Sequence, residues 1–225
     1  MLNTVQFRID LIGVIGKMRW MASPKQHLSN QPLLRIHILD AARAIVVREG
    51  FDALSMRKLA EVVGYSPASL YLHFASRDAI AQALCVEGHA QLLTELHAFD
   101  DVPDPVERLK AIAHAYVGFG QAHPEIYRLI FMQNPAYTDA AFKDPASAGE
   151  TALSMLTQTL ALLDKPSAMA ETLWAVLHGI VSLGLTAAPV FTASADMLID
   201  TTLGLYLPGA PRKKPARRRP SASAV

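Results

Sequence analysis

AEVVGYSPASLYLHF, residues 60–74, predicts two short helices joined by a tight turn. Gly64 ends the first helix, because glycine adopts positive φ without a Cβ clash. Ser66 is a good N-cap for the second helix, and Pro67 takes the first helical position, where its missing N–H costs nothing. The second helix is so short that its exposed face is expected to serve a partner outside the chain. This pattern favours a helix-turn-helix, whose second helix enters the major groove of DNA.

The composition favours a helical protein of the cytoplasm. The chain has 225 residues, 51% apolar and 7% aromatic, which suits an all-α fold rich in Ala and Leu. The single cysteine, Cys85, excludes an intramolecular disulfide and fits a reducing compartment. No apolar run is predicted to be long enough to span a bilayer, so we expect a soluble cytoplasmic protein with no membrane partner.

Charge is distributed unevenly along the chain. The net charge is +1, yet residues 81–211 carry 14 acidic and 5 basic side chains, whereas residues 212–225 carry 6 basic ones. Because an acidic body is repelled by DNA, we expect any DNA contact at one end of the molecule only. The basic run from Arg212 to Arg219 either adds non-specific DNA affinity or is a solvated end.

Helical periodicity and its breaks divide the sequence into four parts. They are a disordered N-terminal extension, a helix-turn-helix DNA-binding domain, a larger helical domain, and a basic disordered tail, residues 1–31, 32–78, 79–207 and 208–225. Met1, Met18 and Met21 all remain open as the true start of the chain.

Local signals place the helices of the second part. Ser55 is the expected cap of a helix over 56–63, in which Leu59 and Val62 face inward. The small side chain of Ala60 lets the following helix cross closely. A further helix is expected to begin at Ser76.

The larger part is also predicted to be helical. Residues 106–122, 153–163 and 195–206 have helical character, whereas residues 133–148 are rich in Asn, Pro, Ala and Asp and predict an irregular connection. The segment 169–186 is apolar around most of its circumference, so we expect it to be buried on several sides.

One set of N-terminal residues is more specific than a lone helix-turn-helix. It comprises Ile38-Leu39-Asp40-Ala41-Ala42, Glu49-Gly50-Phe51, Leu59-Ala60, Gly64, Ser69-Leu70-Tyr71, His73-Phe74 and Ser76-Arg77. Through these residues the chain resembles the tetracycline-repressor (TetR) family of bacterial transcription regulators.

A second set resembles the Trp-His-Gly type of C-terminal domain in that family. It comprises the run from His123 to Phe131, and Trp174 with His178-Gly179. Gly118 and Gly120 depart from the alanines expected near them. The resemblance implies an all-α homodimer: three N-terminal helices bind double-stranded operator DNA, and the larger domain binds a small effector and dimerises through its last two helices.

The resemblance also implies how the second helix of the motif meets DNA. Positions matching Ser66, Ala68 and Ser69 approach base edges, where hydroxyls can hydrogen-bond and a methyl group can touch thymine. Those matching Tyr71 and His73 lie near phosphates. Two alternatives remain open: the Tyr71 ring seals the three-helix core, and His73 caps the helix end.

Helix starts supply the predicted phosphate anchors. Ser55 and Arg77 each stand where exposed N–H groups and the helix dipole favour an anion. Arg57 either lies near the DNA backbone or is simply solvated. The complete predicted DNA-binding set is Ser55, Arg57, Ser66, Pro67, Ala68, Ser69, Tyr71, His73 and Arg77.

Effector contacts are expected in the larger domain. Buried charge is scarce there, which favours an apolar or weakly polar effector. Trp174 and His178 lie one turn apart, where a histidine beside tryptophan either orients a ligand or is a satisfied core residue. The candidate effector-binding residues are Tyr116, Phe119, Phe131, Met132, Met155, Trp174 and His178, each of which is otherwise ordinary core.

Together these features predict a repressor that binds a palindromic operator as a dimer and is released by a small molecule. The alternative is a DNA-binding regulator without an effector or under a protein partner's control. An enzyme is disfavoured, because the sequence lacks G-x-S-x-G, H-E-x-x-H, C-x-x-C, P-loop and dinucleotide fingerprints. We therefore predict no catalytic residues, no cofactor and no metal.

Overall fold

The computed structural model describes residues 31–187 and 191–207. Within these ranges every regular element is a helix or a helical turn, so the all-α prediction is confirmed. The predicted N-terminal extension, apart from its last residue, and the predicted basic tail lie outside the described residues, as do the three candidate start positions.

The first helices follow the local signals closely. Helix α1 spans Gln31–Glu49, a 3₁₀ turn spans Phe51–Ala53, α2 spans Met56–Val63 and α3 spans Pro67–Tyr71. The bounds of α2 agree with the prediction, and Gly64 after it adopts the left-handed conformation, with φ 73°.

The core of these helices agrees with the predicted pattern except at one position. Leu59 and Ala60 are buried as expected, and both pack into the interior beside Leu70. Val62 is 43% exposed, so the prediction that it faces inward is wrong. Helix α2 has eight residues and buries one side only, through Leu59 and Ala60. Val62 lies three residues after Leu59 but outside that buried side.

Seven further helices follow in the described residues. Their bounds are Arg77–His97 for α4, Pro105–Ala122 for α5, Pro124–Arg128 for α6, Pro135–Phe142 for α7, Ala152–Ala161 for α8, Ser167–Thr186 for α9 and Ala195–Tyr206 for α10. A π turn, Leu129–Gln133, follows α6, and a 3₁₀ turn, Pro145–Ser147, follows α7.

Helix α7 corrects the prediction of an irregular connection over 133–148. Asn134 caps the helix, its Oδ1 accepting a hydrogen bond from the Ala136 N–H at 2.9 Å, and Pro135 occupies the first helical position. Tyr137 and Ala141, one turn apart, are buried. The Asn-Pro pair is thus a helix start rather than a loop signal.

Packing divides the chain into two compact units. Among the described residues, the first unit contains 31–91 together with His123–Gly149, and the second contains Leu92–Ala122, 150–187 and 191–207. These units are defined by packing alone, whereas the predicted domains are defined by function. The predicted boundary between the domains 32–78 and 79–207 therefore stays a prediction.

In the first unit, α4 and α6 approach closely at Gly88. A Cβ atom there would lie 2.5 Å from Ile126 Cγ2 and 3.1 Å from Ile130 Cδ1. Nearby, the buried Cys85 thiol donates a hydrogen bond to the Leu129 carbonyl, with Sγ and O 3.4 Å apart. Burial raises the pKa of Cys85 to about 12, so the thiol is protonated and unreactive in the folded chain.

In the second unit, α9 packs on α5 and α8 through one stripe. The stripe consists of Ala170, Leu173, Leu177, Ile180 and Val181. Helix α9 was expected to be buried on several sides. Within one chain only 28% of its apolar 18-residue window is buried, so this expectation is wrong for the single chain.

The prediction that no segment has the length and apolarity to span a bilayer is also corrected. Among the described helices, α9 meets that criterion by length and composition alone.

Candidate functional site

Helix α3 is held at its start by two serines. The Ser66 hydroxyl oxygen accepts a hydrogen bond from the Ser69 N–H at 3.1 Å, and the two hydroxyl oxygens lie 2.9 Å apart. Ser66 is therefore the N-cap that the sequence predicts. The same bonds fix both hydroxyls in position on a five-residue helix too short to be stable alone.

The faces of α3 are oriented as predicted. Leu70 and Phe74 point into the core, at 0% and 3% exposed. Ser66, Pro67 and Ala68 are exposed, while Ser69 and His73 are half-buried.

Tyr71 belongs to the outer face of α3. Its side chain is 53% exposed, which disfavours the alternative that its ring seals the core. A large aromatic ring left in solvent beside a helix cap is available to a partner.

Arg35, on α1, holds the other end of α3 and was not predicted. Its guanidinium lies 4.0 Å from the centre of the Phe74 ring, and Nη1 donates a hydrogen bond to the His73 carbonyl at 3.0 Å. The His73 carbonyl lies two residues beyond the end of α3, so Arg35 fixes the chain that follows the helix. Sequence patterns carry no signal for this contact, because the partners are 38 residues apart in the chain.

The predicted phosphate anchors before and within α2 are accessible. Ser55 is exposed and caps the helix, its hydroxyl accepting a hydrogen bond from the Lys58 N–H at 3.2 Å. Arg57 is exposed. The Lys58 ammonium is ion-paired with Glu49, and this hydrogen bond lowers the pKa of the Glu49 carboxyl. Arg57 is thus the basic side chain of α2 that points freely to solvent.

Arg77 is held by aromatic packing at the start of α4. Its guanidinium lies 4.2 Å from the centre of the Phe51 ring. Phe51 in turn meets Tyr137 edge-on, with ring centroids 5.8 Å apart at 76°. Stacking on a ring leaves the edge of a guanidinium free to donate hydrogen bonds.

Tyr137 also ties α7 to α4. Its hydroxyl donates a hydrogen bond to Asp78 Oδ1 at 2.6 Å. Burial and this hydrogen bond raise the pKa of Tyr137 to about 12, so the phenol remains a donor at physiological pH. Sequence reasoning assigned no role to Tyr137, whose partner lies 59 residues away.

The predicted effector residues are divided between the two units. Five belong to the second unit, namely Tyr116, Phe119, Met155, Trp174 and His178. Phe131 and Met132 belong to the first unit, on the π turn.

Within the second unit these residues differ in accessibility. Tyr116, Phe119 and Met155 are buried, at 0%, 1% and 4% exposed. Trp174 and His178 are half-buried, with ring centroids 6.1 Å apart. Burial lowers the pKa of His178, so the imidazole is neutral near pH 7.

Phe131 and Met132 line a groove of about 500 Å³ in the first unit. The rest of its wall comes from the end of the π turn and from one face of α7. The other five predicted effector residues do not line it.

Family models match both parts of the chain. The model described as bacterial regulatory proteins, tetR family, matches residues 38–84. The model described as tetracyclin repressor-like, C-terminal domain, matches residues 109–205. Neither match distinguishes the Trp-His-Gly type, which stays a prediction.

Two curated relatives illustrate the range of similarity. The nucleoid occlusion factor SlmA of Vibrio campbellii is 32% identical over 98 residues, 43% of this chain and 50% of that protein. The HTH-type transcriptional regulator Rv0681 of Mycobacterium tuberculosis is 28% identical over 182 residues, 77% of this chain and 82% of that protein. The chain spans about half the length of the first curated relatives that it matches.

A solved structure has the same fold. The transcriptional regulator FadR from Bacillus subtilis, in complex with stearoyl-CoA, superposes with a TM-score of 0.59 at 14% identity, covering 77% of this chain and 98% of that one. The matched tetR family model and the Rv0681 protein are regulators rather than enzymes, in agreement with the prediction. With both family models matched in their expected order, the chain belongs to the tetR family of bacterial regulatory proteins.

Proposed function

We propose that the chain is a homodimeric, cytoplasmic repressor that reads a palindromic operator through α3 and is released from it by a small molecule. The observation that carries this proposal is the outer face of α3. It presents the exposed Ser66, Pro67, Ala68 and Tyr71, with Ser66 capping the start of the helix and Arg35 hydrogen-bonded to the His73 carbonyl just beyond its end. Small side chains held in fixed positions allow the helix to approach base edges closely.

Homodimerisation is supported by the last two helices of the described chain. Leu183 on α9 is 49% exposed, and Met197 and Leu205 on α10 are 61% and 74% exposed. Exposed apolar side chains grouped on two adjoining helices mark an interface. A two-fold dimer presents two copies of α3, so the operator is expected to be an inverted repeat.

The effector is proposed to be apolar or weakly polar. This is supported by the aromatic and methionine side chains in the predicted effector set and by the neutral state of His178. The stearoyl-CoA complex of the Bacillus subtilis FadR protein shows that a related fold accommodates a ligand with a long apolar chain. The alternative remains a regulator that responds to a protein partner or to no effector.

The operator is found by selecting bound duplexes from random DNA with the full chain. Anisotropy titrations of the selected duplex at several salt concentrations then give the number of phosphate contacts. Arg77→Ala is expected to weaken binding and to reduce the salt slope by about 2, one contact in each half-site. Arg48→Ala, on the last turn of α1 and outside the predicted set, is the matched control.

Two results would count against the proposal. If no duplex is enriched, the proposal that α3 reads an operator is refuted. An unchanged salt slope in Arg77→Ala would remove Arg77 from the interface. A thermal-shift screen of metabolites, followed by operator release with each hit, separates the effector-controlled repressor from the effector-independent alternative.

A further inference from the structure

We propose that the groove between the π turn and α7 binds a flat apolar molecule bearing one positive charge, and that α7 transmits its occupancy to Arg77 through Tyr137. This inference rests on the proposed function and revises its effector, which is here largely apolar but singly charged and binds in the groove lined by Phe131 and Met132. The groove has a volume of about 500 Å³. Volumes of this order are typical of small-molecule sites.

Aromatic and thioether groups form the apolar part of the groove. Phe131 and Phe142 both line it, with ring centroids 6.2 Å apart at 64°. Met132, 39% exposed, adds a flexible and polarisable side chain. The face of an aromatic ring accepts a flat ring by stacking and attracts a cation.

The charge of the groove selects a cation. Of the described side chains that line it, Asp139 carries the one formal charge. Its partner Lys143, with Nζ 2.7 Å from Asp139 Oδ1, does not line the groove. Both members of this ion pair are largely exposed, at 75% and 58%, so their attraction is weak and a bound cation can replace the lysine.

The π turn gives the groove an irregular wall that can change shape. Its i→i+5 geometry is rare and recurs at functional sites. Thr138 on α7 donates a hydrogen bond from its hydroxyl to the Ile130 carbonyl in the turn, and Thr138 itself lines the groove. A ligand that parts the two walls therefore acts directly on α7.

Helix α7 carries the groove on one face and the link to α4 on the other. Pro135, Thr138, Asp139 and Phe142 line the groove at helical spacing, while Tyr137 is buried away from it. Tyr137 holds Asp78, the residue after Arg77, and packs on Phe51, the ring beneath the Arg77 guanidinium. A shift of α7 would therefore move Asp78, which is next to Arg77 in the chain, and Phe51, whose ring supports the Arg77 guanidinium.

The binding step is tested with a matched pair of dyes on the full chain. Thioflavin T is flat and cationic, and 2-(4-dimethylaminophenyl)-6-methylbenzothiazole is its uncharged counterpart. Asp139→Asn is expected to weaken thioflavin T binding about threefold and to leave the uncharged dye unchanged, because an exposed carboxylate attracts a cation only modestly. Asp144→Asn, outside the groove, is the control and should alter neither. Equal affinities for thioflavin T in Asp139→Asn and wild type would overturn the site.

The transmission step is tested by release of the selected operator duplex. Tyr137→Phe is expected to bind thioflavin T as the wild type does but to need about tenfold more dye for half-release. Asp78→Asn keeps an acceptor for the tyrosine and should release as the wild type, whereas Asp78→Ala should resemble Tyr137→Phe. A titration of the duplex with dye alone corrects for direct binding to DNA.

The outcomes separate this inference from the proposed function. A wild type that binds no duplex refutes the proposed function, whatever the dyes do. A wild type that binds both duplex and dye, but is not released, refutes the transmission. Release in Tyr137→Phe at the wild-type dye concentration, with the melting temperature unchanged, refutes the role of the Tyr137–Asp78 bond.

Discussion

Helices α3 and α10 both leave a face uncovered, and the two faces differ in chemistry. The uncovered face of α3 carries the Ser66 hydroxyl, the small Pro67 and Ala68, and the Tyr71 phenol, and hydrogen bonds of Ser66 and Arg35 hold the two ends of this segment. The uncovered face of α10 carries the large apolar Met197 and Leu205 with Thr201 between them, while the exposed Asp196 and Asp200 lie beside His114. A polar face suits a hydrated partner such as DNA, whereas an apolar face suits a dry contact with a second copy of the chain.

Placing a charge on the apolar face should have the largest effect. In Leu205→Glu, a symmetric interface loses two buried leucines and gains two buried carboxylates, which weakens the dimer by more than about 3 kcal/mol. Sedimentation equilibrium measures the change. Leu162→Glu, 62% exposed beyond the end of α8, is the control and should stay dimeric. If Leu205→Glu associates like the wild type, the uncovered face of α10 is not the interface.

Two glycines test how tightly each unit is packed. Gly88→Ala forces a Cβ against Ile126, so the free energy of unfolding is expected to fall by about 1–3 kcal/mol. Gly118, on α5, has no atom within 4 Å of an added Cβ. Gly118→Ala should therefore raise the free energy of unfolding by about 0.5–1 kcal/mol through helix propensity. Urea unfolding monitored by circular dichroism measures both, and equal shifts would contradict the close crossing at Gly88.

Substitutions at Ser66 separate the cap from the DNA contact. Ser66→Ala removes the acceptor for the Ser69 N–H and should cost about 1 kcal/mol of stability. Ser66→Asp preserves the cap but adds a negative charge at the start of α3, so it should melt like the wild type and bind DNA weakly. Thermal melts and anisotropy titrations measure these effects. Undiminished DNA binding by Ser66→Asp would place the start of α3 away from the phosphates.

His97 offers the smallest effect and a test of pH dependence. Its Nδ1 lies 2.6 Å from Asp100 Oδ2 and its Nε2 lies 2.9 Å from Glu150 Oε2, and the hydrogen bond to Asp100 is the main cause that raises the pKa of His97. The protonated form is thus favoured in the folded state. Its contribution is complete below the ordinary histidine pKa of about 6.5 and is lost as pH rises through the higher folded value.

The His97 contribution is expected to be about 0.5 kcal/mol, because the side chains are partly exposed. His97→Gln should flatten the fall in melting temperature between about pH 6 and pH 8. The exposed His37→Gln is the matched control. A wild-type melting temperature that rises with pH over this window would contradict the assignment.

Local signals allowed the first helices to be predicted from sequence, and tertiary contacts account for the rest. Ser55, Gly64 and Ser66 mark helix ends by their own chemistry, and the structure confirms each of them. Helix α7 was missed because its loop-like composition concealed the Asn134 cap and because its stability comes from burial of Tyr137. The contacts of Arg35 and Tyr137 join residues far apart in the chain, which periodicity cannot detect.

The brevity of α3 has a consequence for how operator preference can change. Its five residues are held by Ser66 at one end, Arg35 at the other and Leu70 beneath. Pro67, Ala68 and Tyr71 contribute little to that support, since all three are exposed. Ala68 and Tyr71 can therefore be replaced at small cost in stability, and, if α3 reads the operator as proposed, new DNA preferences are open to selection without a prior gain in folding free energy.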